Sequence, residues 1–244
     1  MRIIATIEAR MNSSRLPGKV LLQAAGKSML EHLVNRLRAV PSLNGIVLAT
    51  TVNQADDQLE KFAKKIGLDC YRGSEENVLS RVIGAGEFMG ADTIVQITGD
   101  CPIIDYELIE QTILMFRYNN VRYASNSIIR SFPDGMDTQV IHFESLKSSA
   151  GLTDDPLDIE HVSRFMINHP ELYSRVHLIA PPSLSWPELG LTLDEPKDFE
   201  LLKKIIEHFD PINSLFSCGE VIKLLKERPD WVKINQDVVR KGDS

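Results

Sequence analysis

The chain contains 244 residues, of which 43% are hydrophobic and 25% are charged, a composition typical of a folded globular protein rather than a disordered or fibrous one. This length fits one large α/β domain, or one domain with an insertion, better than two independent halves. The 27 basic and 34 acidic side chains give a formal charge of −7, which argues against nucleic acid or an anionic membrane surface as a partner.

Short apolar runs alternate with amphipathic segments throughout the first half of the chain. This pattern predicts strands at 3–7, 46–50, 69–71 and 94–98, and helices at 29–40, 55–66, 77–89 and 106–118. The first two strands are apolar on both faces, as is typical of parallel strands that helices cover on both sides. We therefore expect an α/β fold with a Rossmann-like, mostly parallel sheet, in which ligands bind beyond the carboxyl ends of the strands.

The regular alternation of strands and helices ends after residue 120, where the pattern predicts strands at 121–126, 137–143 and 173–180 and a helix at 157–168. We interpret residues 121–185 as an inserted smaller lobe within a single domain that spans 1–244. A strand at 189–193 and a helix at 196–209, which begins with a proline, are expected to rejoin the main sheet. The last part, 217–244, contains one predicted helix around 220–227 and is expected to be peripheral.

The cysteines, the histidines and the lengths of the apolar runs argue against several further classes of protein. Cys70, Cys101 and Cys218 are odd in number and far apart, so the sequence predicts neither a disulfide framework nor a CxxC metal site. The six histidines show no HExxH spacing, which argues against zinc. Glu8 and Arg10 follow the first apolar run too soon for a signal peptide, and no apolar run approaches the roughly 18 to 20 residues of a membrane span. We therefore expect a cytoplasmic protein.

The segment 8–21, which follows the first predicted strand, is rich in positive charge and turn-forming residues. It contains Arg10, Arg15 and Lys19 together with two serines and a Pro-Gly turn, in a chain whose net charge is negative. Cations, hydroxyl groups and backbone N–H groups on one loop suit an oligophosphate ligand. The alternative is an ordinary exposed basic loop, because Lys and Arg are common on protein surfaces.

Two other glycine-containing segments resemble nucleotide-binding motifs but do not have the residue spacing that those motifs require. Gly26-Lys27-Ser28 resembles the end of a phosphate-binding P-loop, yet Leu21 stands where that motif requires a glycine. The glycines at 84, 86 and 90 are one residue too far apart for a dinucleotide fingerprint and lie at the end of a predicted helix. We interpret them as positions of close helix packing and a helix stop.

Two aspartates follow predicted strands at the end where ligands bind. Asp100 comes after the apolar strand at 94–98, separated from it by a glycine, and Asp194 comes directly after 189–193. Carboxylates from two strand ends can share one Mg²⁺ ion, whose other ligands are substrate phosphates and water. Asp194 could equally be a helix N-cap, and for Asp105 the N-cap interpretation is favoured.

The chain from residue 4 to about residue 202 resembles the cytidylyltransferases that activate acidic sugars. These include the acylneuraminate and 3-deoxy-manno-octulosonate enzymes, and the closest branch is called spore coat polysaccharide biosynthesis protein F. The most specific match runs from Ala9-Arg10 to Ser14-Arg15-Leu16-Pro17-Gly18-Lys19 and fits the family pattern ARxxSxRLPGK. Supporting matches are Arg72-Gly73-Ser74-Glu75-Glu76-Asn77-Val78-Leu79-Ser80-Arg81, Thr98-Gly99-Asp100-Cys101-Pro102, Phe132-Pro133-Asp134-Gly135-Met136-Asp137, Glu160-His161-Val162 and Leu193-Asp194-Glu195-Pro196-Lys197-Asp198-Phe199.

The resemblance implies a nucleotide-diphosphosugar-transferase-like fold and a Mg²⁺-dependent reaction. The anomeric hydroxyl of an acidic sugar would attack the α-phosphorus of CTP and release pyrophosphate. Arg10, Lys19 and Asp100 would be catalytic, with Asp100 and Asp194 as the metal ligands. The implied nucleotide-binding residues are Ala9, Arg10, Ser14, Arg15, Lys19, Gly73, Asn77, Arg81 and Thr98. The implied sugar-binding residues, in a lobe that also forms a homodimer, are Asp134, Asp137, Glu160 and His161.

Alternatives stay open for two of these residues and for the function as a whole. A helix N-cap is the favoured interpretation of Asn77, and a structural hydrogen-bonding role is favoured for His161. The first rival function is a sugar-1-phosphate nucleotidyltransferase that uses another nucleoside triphosphate. The second is a non-catalytic nucleotide-binding or assembly subunit, although such a scaffold has no need for metal-binding carboxylates.

Two positions depart from the family pattern. Glu8 stands where relatives usually have Pro or Gln, so a carboxylate lies near the proposed triphosphate and repels it unless an arginine or a metal pairs with it. Ile159 stands where this branch often has Arg. If that Arg contacts the acidic sugar in relatives, the acceptor of this protein is expected to be different or less acidic.

Overall fold

The computed structural model describes residues 1–239, so residues 240–244 of the expected peripheral region lie outside the described part. The strands are β1 (Ile3–Glu8), β2 (Gln23–Ala24), β3 (Lys27–Ser28), β4 (Gly45–Thr51), β5 (Asp69–Gly73), β6 (Thr93–Thr98), β7 (Tyr123–Ser125), β8 (Gln139–His142) and β9 (Arg175–His177). The α-helices are α1 (Met29–Arg38), α2 (Asp57–Lys65), α3 (Val78–Met89), α4 (Tyr106–Asn119), α5 (Phe143–Ala150), α6 (Pro156–Glu160), α7 (Arg164–Asn168), α8 (Pro196–Phe209), α9 (Cys218–Glu227) and α10 (Pro229–Val232).

The elements predicted for the first half of the chain are confirmed, because their ends are set by local signals. Ser28 caps α1, since its side chain accepts the N–H of Glu31. Asp105 caps α4 by accepting the N–H of Glu107 at 2.8 Å, which confirms the N-cap interpretation of this residue. Further along the chain, α8 has the predicted bounds and begins with its proline in the first turn.

The central sheet contains seven strands in the order β5-β4-β1-β6-β8-β7-β9. The first four of these pair in parallel, β8 is antiparallel to both of its neighbours, and β7 and β9 are parallel. The prediction of a mostly parallel α/β sheet is therefore confirmed. In the register of β1 and β6, Glu8 lies opposite Thr98, so the loops that follow both strands leave the sheet at the same edge.

Three strands of the central sheet come from residues 121–185, the segment expected to be an inserted lobe. This segment therefore continues the main sheet. The helix predicted at 157–168 is interrupted, because Val162 adopts a φ of 40°, a left-handed conformation that a helix does not accommodate. The two short helices α6 and α7 lie on either side of this interruption.

The strand predicted at 189–193 is wrong. Within the described residues 1–239, this segment does not join the central sheet and forms a single bridge, between Gly190 and Asp134. Its apolar side chains, Leu189, Leu191 and Leu193, are buried against α8 and α9. An apolar run indicates burial but does not specify the partner that covers it, and here the partner is a helical layer.

Helices cover both faces of the sheet and build separate apolar clusters. On one face, Ala5 and Ile7 of β1 pack with residues of α1, α2 and α4. On the other face, Ile4 of β1 packs with residues of α3, α5 and α7. Burial of alternate residues of one strand on opposite faces is the pattern expected for a covered parallel sheet. Among residues 1–239, no helix is long and apolar enough to cross a membrane.

Candidate active site

The carboxyl ends of β1 and β6 open into a cleft of about 600 Å³. The loop predicted to bind phosphate forms one wall, and α3 and α6 contribute to the other. Both predicted aspartates, Asp100 and Asp194, also line the cleft. The other predicted residues that line it are Ala9, Arg10, Ser14, Arg15, Lys19, Arg81, Thr98, Glu160 and His161.

Two backbone turns bring the basic loop to this edge of the sheet. Gly18 has a φ of 70° and donates its N–H to the carbonyl of Met11 at 2.9 Å, which closes the loop. The N–H of Met11 in turn donates to the buried carboxylate of Asp56 at 2.7 Å. Gly99 approaches β1 so closely that an added Cβ would lie 2.8 Å from the Cβ of Ala9. A side chain at position 99 would therefore push Asp100 away from the loop.

Lys19 lines the cleft and lies between the two predicted metal ligands. Its Nζ is 3.2 Å from Oδ2 of Asp100 and 3.0 Å from Oδ1 of Asp194. Burial lowers the pKa of Lys19, but the two carboxylates outweigh burial and raise this pKa above its ordinary value. Arg15 adds a second cation, with Nη2 at 2.8 Å from Oδ1 of Asp194. The tertiary structure thus joins residues 19, 100 and 194 in one ionic cluster.

The same geometry defines the residues that could hold a metal ion. Asp100 and Asp194 both direct a carboxylate oxygen at one cation, the ammonium group of Lys19. Carboxylate oxygens are the ligands that Mg²⁺ prefers, and this ion usually takes only one or two of them from the protein. Within residues 1–239, no group of three or more His, Cys, Asp and Glu side chains is arranged to hold a metal. The donor set therefore fits an ion that shares its coordination with substrate oxygens.

Glu8 also lines the cleft, where it lies between polar partners. Oε2 of Glu8 accepts a hydrogen bond from Nε2 of Gln96 at 2.8 Å, and Oε1 accepts one from the hydroxyl of Thr6 at 3.3 Å. Burial raises the pKa of Glu8 to about 7, against the opposing effects of the Gln96 hydrogen bond and of Arg81. A carboxyl group with this pKa is partly neutral at pH 7, which weakens its repulsion of a triphosphate.

Arg81 carries a buried positive charge into the same part of the cleft. Its Nη1 donates to the carbonyl of Ser74, and burial lowers the pKa of its guanidinium group. The Nε of Arg81 is buried and has no hydrogen-bond partner among the residues that the structure describes. A buried donor without a partner is costly, so this group is suited to an acceptor on a ligand.

Two predicted nucleotide-binding residues lie outside the cleft lining. Asn77 caps α3, with Oδ1 accepting the N–H of Ser80 at 2.7 Å, which confirms the N-cap interpretation of this residue. Gly73 lies beneath Arg81, where an added Cβ would be 3.1 Å from the Cγ of Arg81. Both residues thus support the wall that carries Arg81 instead of facing the cleft.

The predicted sugar-binding residues divide between two places. Glu160 and His161 line the large cleft, whereas Asp134 and Asp137 line a smaller cavity of about 210 Å³. The two spaces share four lining residues, so they adjoin at the ionic cluster; these residues are Arg15, Thr98, Asp100 and Asp194. Ile159 lines neither space and faces a separate pocket near α3.

Sequence reasoning missed two glutamines of the smaller cavity, Gln96 and Gln139. Gln96 is 6% exposed within the apolar strand β6, and Oε1 of Gln139 accepts a hydrogen bond from the hydroxyl of Tyr123 at 2.6 Å. An amide within an otherwise apolar strand was the available signal, because buried polar side chains need partners. Burial also raises the pKa of Asp137, in the same cavity, to about 6, and Asp134 and Asp100 add to this effect against Arg130.

A parallel sheet that brings a basic loop and two aspartates to one cleft defines a nucleotide-binding transferase of the α/β class. Comparison with known proteins specifies the family: a model described as cytidylyltransferase matches residues 4–182, and the chain belongs to this family. It is therefore a CTP-dependent nucleotidyltransferase, and the resemblance found in the sequence is confirmed.

Individual relatives cover different shares of the chain. It is 32% identical over 234 residues to spore coat polysaccharide biosynthesis protein SpsF of Bacillus subtilis, covering 93% of this chain and 95% of that protein. It is 34% identical over 122 residues to an 8-amino-3,8-dideoxy-manno-octulosonate cytidylyltransferase of Shewanella amazonensis, covering 48% of each chain. A solved cytidylyltransferase of Leptospira borgpetersenii superposes with a TM-score of 0.90 at 28% identity, covering 98% of this chain and 99% of that one.

Proposed function

We propose that the protein transfers CMP from CTP to the anomeric hydroxyl of a sugar and releases pyrophosphate, as a step in the synthesis of a surface polysaccharide. The observation that carries this proposal is the ionic cluster of Lys19, Asp100 and Asp194, which lies where the large cleft meets the smaller cavity. One ligand in each space would bring its reacting group to this junction. The relative named for spore coat polysaccharide biosynthesis supports the general pathway.

The large cleft suits the nucleotide because its cations face a space wide enough for a triphosphate. Arg10, Arg15 and Lys19 supply positive charge on the loop, and the exposed hydroxyl of Ser14 adds a donor. The buried Nε of Arg81, which has no partner within the part of the chain that the structure describes, supplies a further donor from the opposite wall. Transfer of a nucleotidyl group depends mainly on in-line positioning and on cations around the phosphate oxygens. These side chains provide both without a covalent intermediate.

Asp100 and Asp194 are proposed to hold Mg²⁺ through their carboxylate oxygens. This ion, when bound, would neutralise charge on the oxygens of the triphosphate. Because Lys19 contacts the same carboxylates, its ammonium group would turn toward the phosphates when the ion binds. The protein's own contribution is therefore to hold one cation in place and to free another for the leaving pyrophosphate.

In the transfer, the sugar hydroxyl oxygen forms a bond to the α-phosphorus as the bond from that phosphorus to the bridging oxygen breaks. The hydroxyl proton passes to water, and the electron pair of the broken bond leaves with pyrophosphate. The smaller cavity is proposed to hold the sugar, since it adjoins the large cleft at the cluster and shares Asp100 and Asp194 with it. A homodimer, which the family resemblance implies, is part of the proposal.

Thermal unfolding in the presence of nucleotides tests this function directly. CTP, UTP, ATP and GTP are compared with and without Mg²⁺, because a ligand at a hundredfold excess over its Kd stabilises the folded state by about 2.7 kcal/mol. We expect the largest shift for CTP with Mg²⁺. A larger shift with another nucleotide would favour a sugar-1-phosphate nucleotidyltransferase, and no shift with any nucleotide would favour a non-catalytic subunit.

A further inference from the structure

A row of polar side chains crosses one face of the central sheet beside the smaller cavity. The register places Thr6 of β1 opposite Gln96 of β6, and Gln96 opposite Gln139 of β8. Residues directly opposite each other on neighbouring strands share a face of the sheet, and in an antiparallel pair their Cβ atoms lie about 4.5–5.5 Å apart. Gln96 and Gln139 are therefore neighbours, and both line the smaller cavity.

Glu8 fixes the orientation of the Gln96 amide. Nε2 of Gln96 donates to Oε2 of Glu8 at 2.8 Å, and the hydroxyl of Thr6 donates to Oε1 of the same carboxylate at 3.3 Å. An ionised carboxylate only accepts hydrogen bonds, so the amide turns its nitrogen toward Glu8 and its oxygen away from it. That oxygen, Oε1 of Gln96, is buried and has no hydrogen-bond partner within residues 1–239. A buried acceptor in this state is costly unless a ligand supplies a donor.

Two hydroxyl groups fix the Gln139 amide in the opposite sense. Oε1 of Gln139 accepts hydrogen bonds from the hydroxyl of Tyr123, at 2.6 Å, and from the hydroxyl of Ser163. Nε2 of Gln139 has no hydrogen-bond partner in the part of the chain that the structure describes. The hydrogen-bonded row is therefore interrupted between Gln96 and Gln139, at the wall of the smaller cavity. One side of the gap presents an acceptor, and the other side presents a donor.

We propose that a hydroxyl group of the sugar closes this gap by donating to Oε1 of Gln96 and accepting from Nε2 of Gln139, so that these two glutamines select and position the acceptor. This inference rests on the proposed function, because it assigns residues that hold the sugar in the smaller cavity. A hydroxyl group both donates and accepts, whereas an ammonium group only donates and a carboxylate only accepts. Of these three groups, the hydroxyl is the one that satisfies both amides at once.

Steady-state release of pyrophosphate from CTP with Mg²⁺ tests the inference. The assay is run at pH 8.5, where the carboxyl group of Glu8, with a pKa of about 7, is ionised and orients Gln96. The sugar probes are 3-deoxy-manno-octulosonate, its 8-amino-8-deoxy derivative, N-acetylneuraminate, glucose and mannose. Each is compared with analogues in which one hydroxyl group other than the anomeric one is replaced by hydrogen. We expect one deoxy analogue of an active sugar to lose about tenfold or more in kcat/KM, the effect of two neutral hydrogen bonds.

Gln139→Glu separates contact with the sugar from a structural role. The new carboxylate still accepts from Tyr123 and Ser163, but an oxygen replaces the donor that faces the cavity. We expect KM for the active sugar to rise about tenfold with a smaller change in kcat, because a binding contact away from the reacting atoms is lost. Gln96→Met, which removes the acceptor and adds no charge, should also raise this KM. Gln111→Glu makes the same chemical change at an exposed position of α4 and should leave KM unchanged.

The deoxy analogues show whether the two glutamines contact the same hydroxyl group. The analogue that loses activity with the wild-type protein should lose little further in Gln139→Glu and Gln96→Met, because the contact is already absent in each variant. An unchanged KM in both variants would overturn the inference. Equal losses for this analogue in the wild-type and variant proteins would also overturn it, and would indicate that water fills the gap.

Thermal unfolding with CTP and Mg²⁺ separates this inference from the proposed function, and it also shows that each variant is folded. If CTP stabilises the wild-type protein and a sugar releases pyrophosphate, but both variants keep the wild-type KM, the inference is wrong and the proposed function stands. If CTP gives no stabilisation, or no sugar of the set releases pyrophosphate, the result contradicts the proposed function and the inference that rests on it.

Discussion

Replacing Lys19 by Met tests the ionic cluster, because it removes the ammonium group and keeps most of the apolar stem. Lys19 is 11% exposed and makes two hydrogen bonds to carboxylates, at 3.2 and 3.0 Å. Hydrogen bonds to charged groups contribute about 1.5–3 kcal/mol each. The carboxylates keep some contact with water and Asp194 keeps Arg15, so we expect a total loss of about 2 kcal/mol. That loss corresponds to a decrease in Tm of about 4–8 °C.

Magnesium distinguishes this loss from ordinary disruption of packing. Lys19 and the ion are proposed to compete for the same oxygens of Asp100 and Asp194, so removal of the ammonium group should strengthen metal binding. Thermal unfolding is measured in a chelator and across a Mg²⁺ series, without nucleotide. We expect Mg²⁺ to recover most of the lost stability in Lys19→Met and to stabilise the wild-type protein much less.

Lys27→Met is the matched control for this experiment. Lys27 pairs with Asp210 at 3.0 Å, but it is 34% exposed and lies outside the cleft. Its loss should cost no more than about 1 kcal/mol, and Mg²⁺ should not recover it. A Lys19→Met protein as stable as wild type in the chelator, or equal stabilisation of all three proteins by Mg²⁺, would show that Lys19 does not compete with the ion for these carboxylates.

Four further predictions concern other parts of the molecule. Asp100→Asn should lower the rate of pyrophosphate release at least about 100-fold in a protein that remains folded, since it removes a metal-binding charge but keeps the shape; a rate near that of wild type contradicts the metal assignment. Burial raises the folded-state pKa of Glu8 from 4.5 to about 7, so the stabilising contribution of this carboxyl group is present below pH 4.5 and is lost as the pH rises through 7. Glu8→Gln should therefore become more stable than wild type by up to about 2 kcal/mol between pH 5 and pH 8. A difference in thermal unfolding that does not depend on pH would show that the pKa of Glu8 is not perturbed. Asn77→Ala should destabilise the protein by about 1 kcal/mol in denaturant unfolding while leaving the affinity for CTP unchanged, because the side chain caps α3; a large loss of affinity would place Asn77 in the site. Light scattering at micromolar concentration should give the mass of a dimer, and a monomer mass would remove that part of the proposal.

The sequence specified those parts of the site that follow directly from a strand. Glu8, Arg10 and Asp100 come immediately after apolar segments with clear periodicity, and parallel strands place such residues at one edge. The basic loop was recognisable because Arg10, Arg15 and Lys19 lie within ten residues of one another. Helix caps such as Asp105 were predictable for the same reason, since a cap is an interaction between residues two or three positions apart.

Other features depend on contacts between residues that are far apart in the chain. The apolar run at 189–193 shows no local difference between a strand and a segment buried under helices, and the packing of α8 and α9 decided the outcome. The interruption at Val162 arises from a backbone conformation that its side chain does not favour, so helix propensities do not predict it.

The sequence by itself determined the fold class, the family and the residues of the phosphate-binding loop, because each is encoded in short-range periodicity or in contiguous motifs. Only the tertiary structure joined Lys19 to Asp100 and Asp194, residues separated by 81 and 175 positions. It also assigned Asp134 and Asp137 to a cavity apart from Glu160 and His161. Charge balance within a cavity is a property of side chains brought together by folding, and no local pattern in the chain records it.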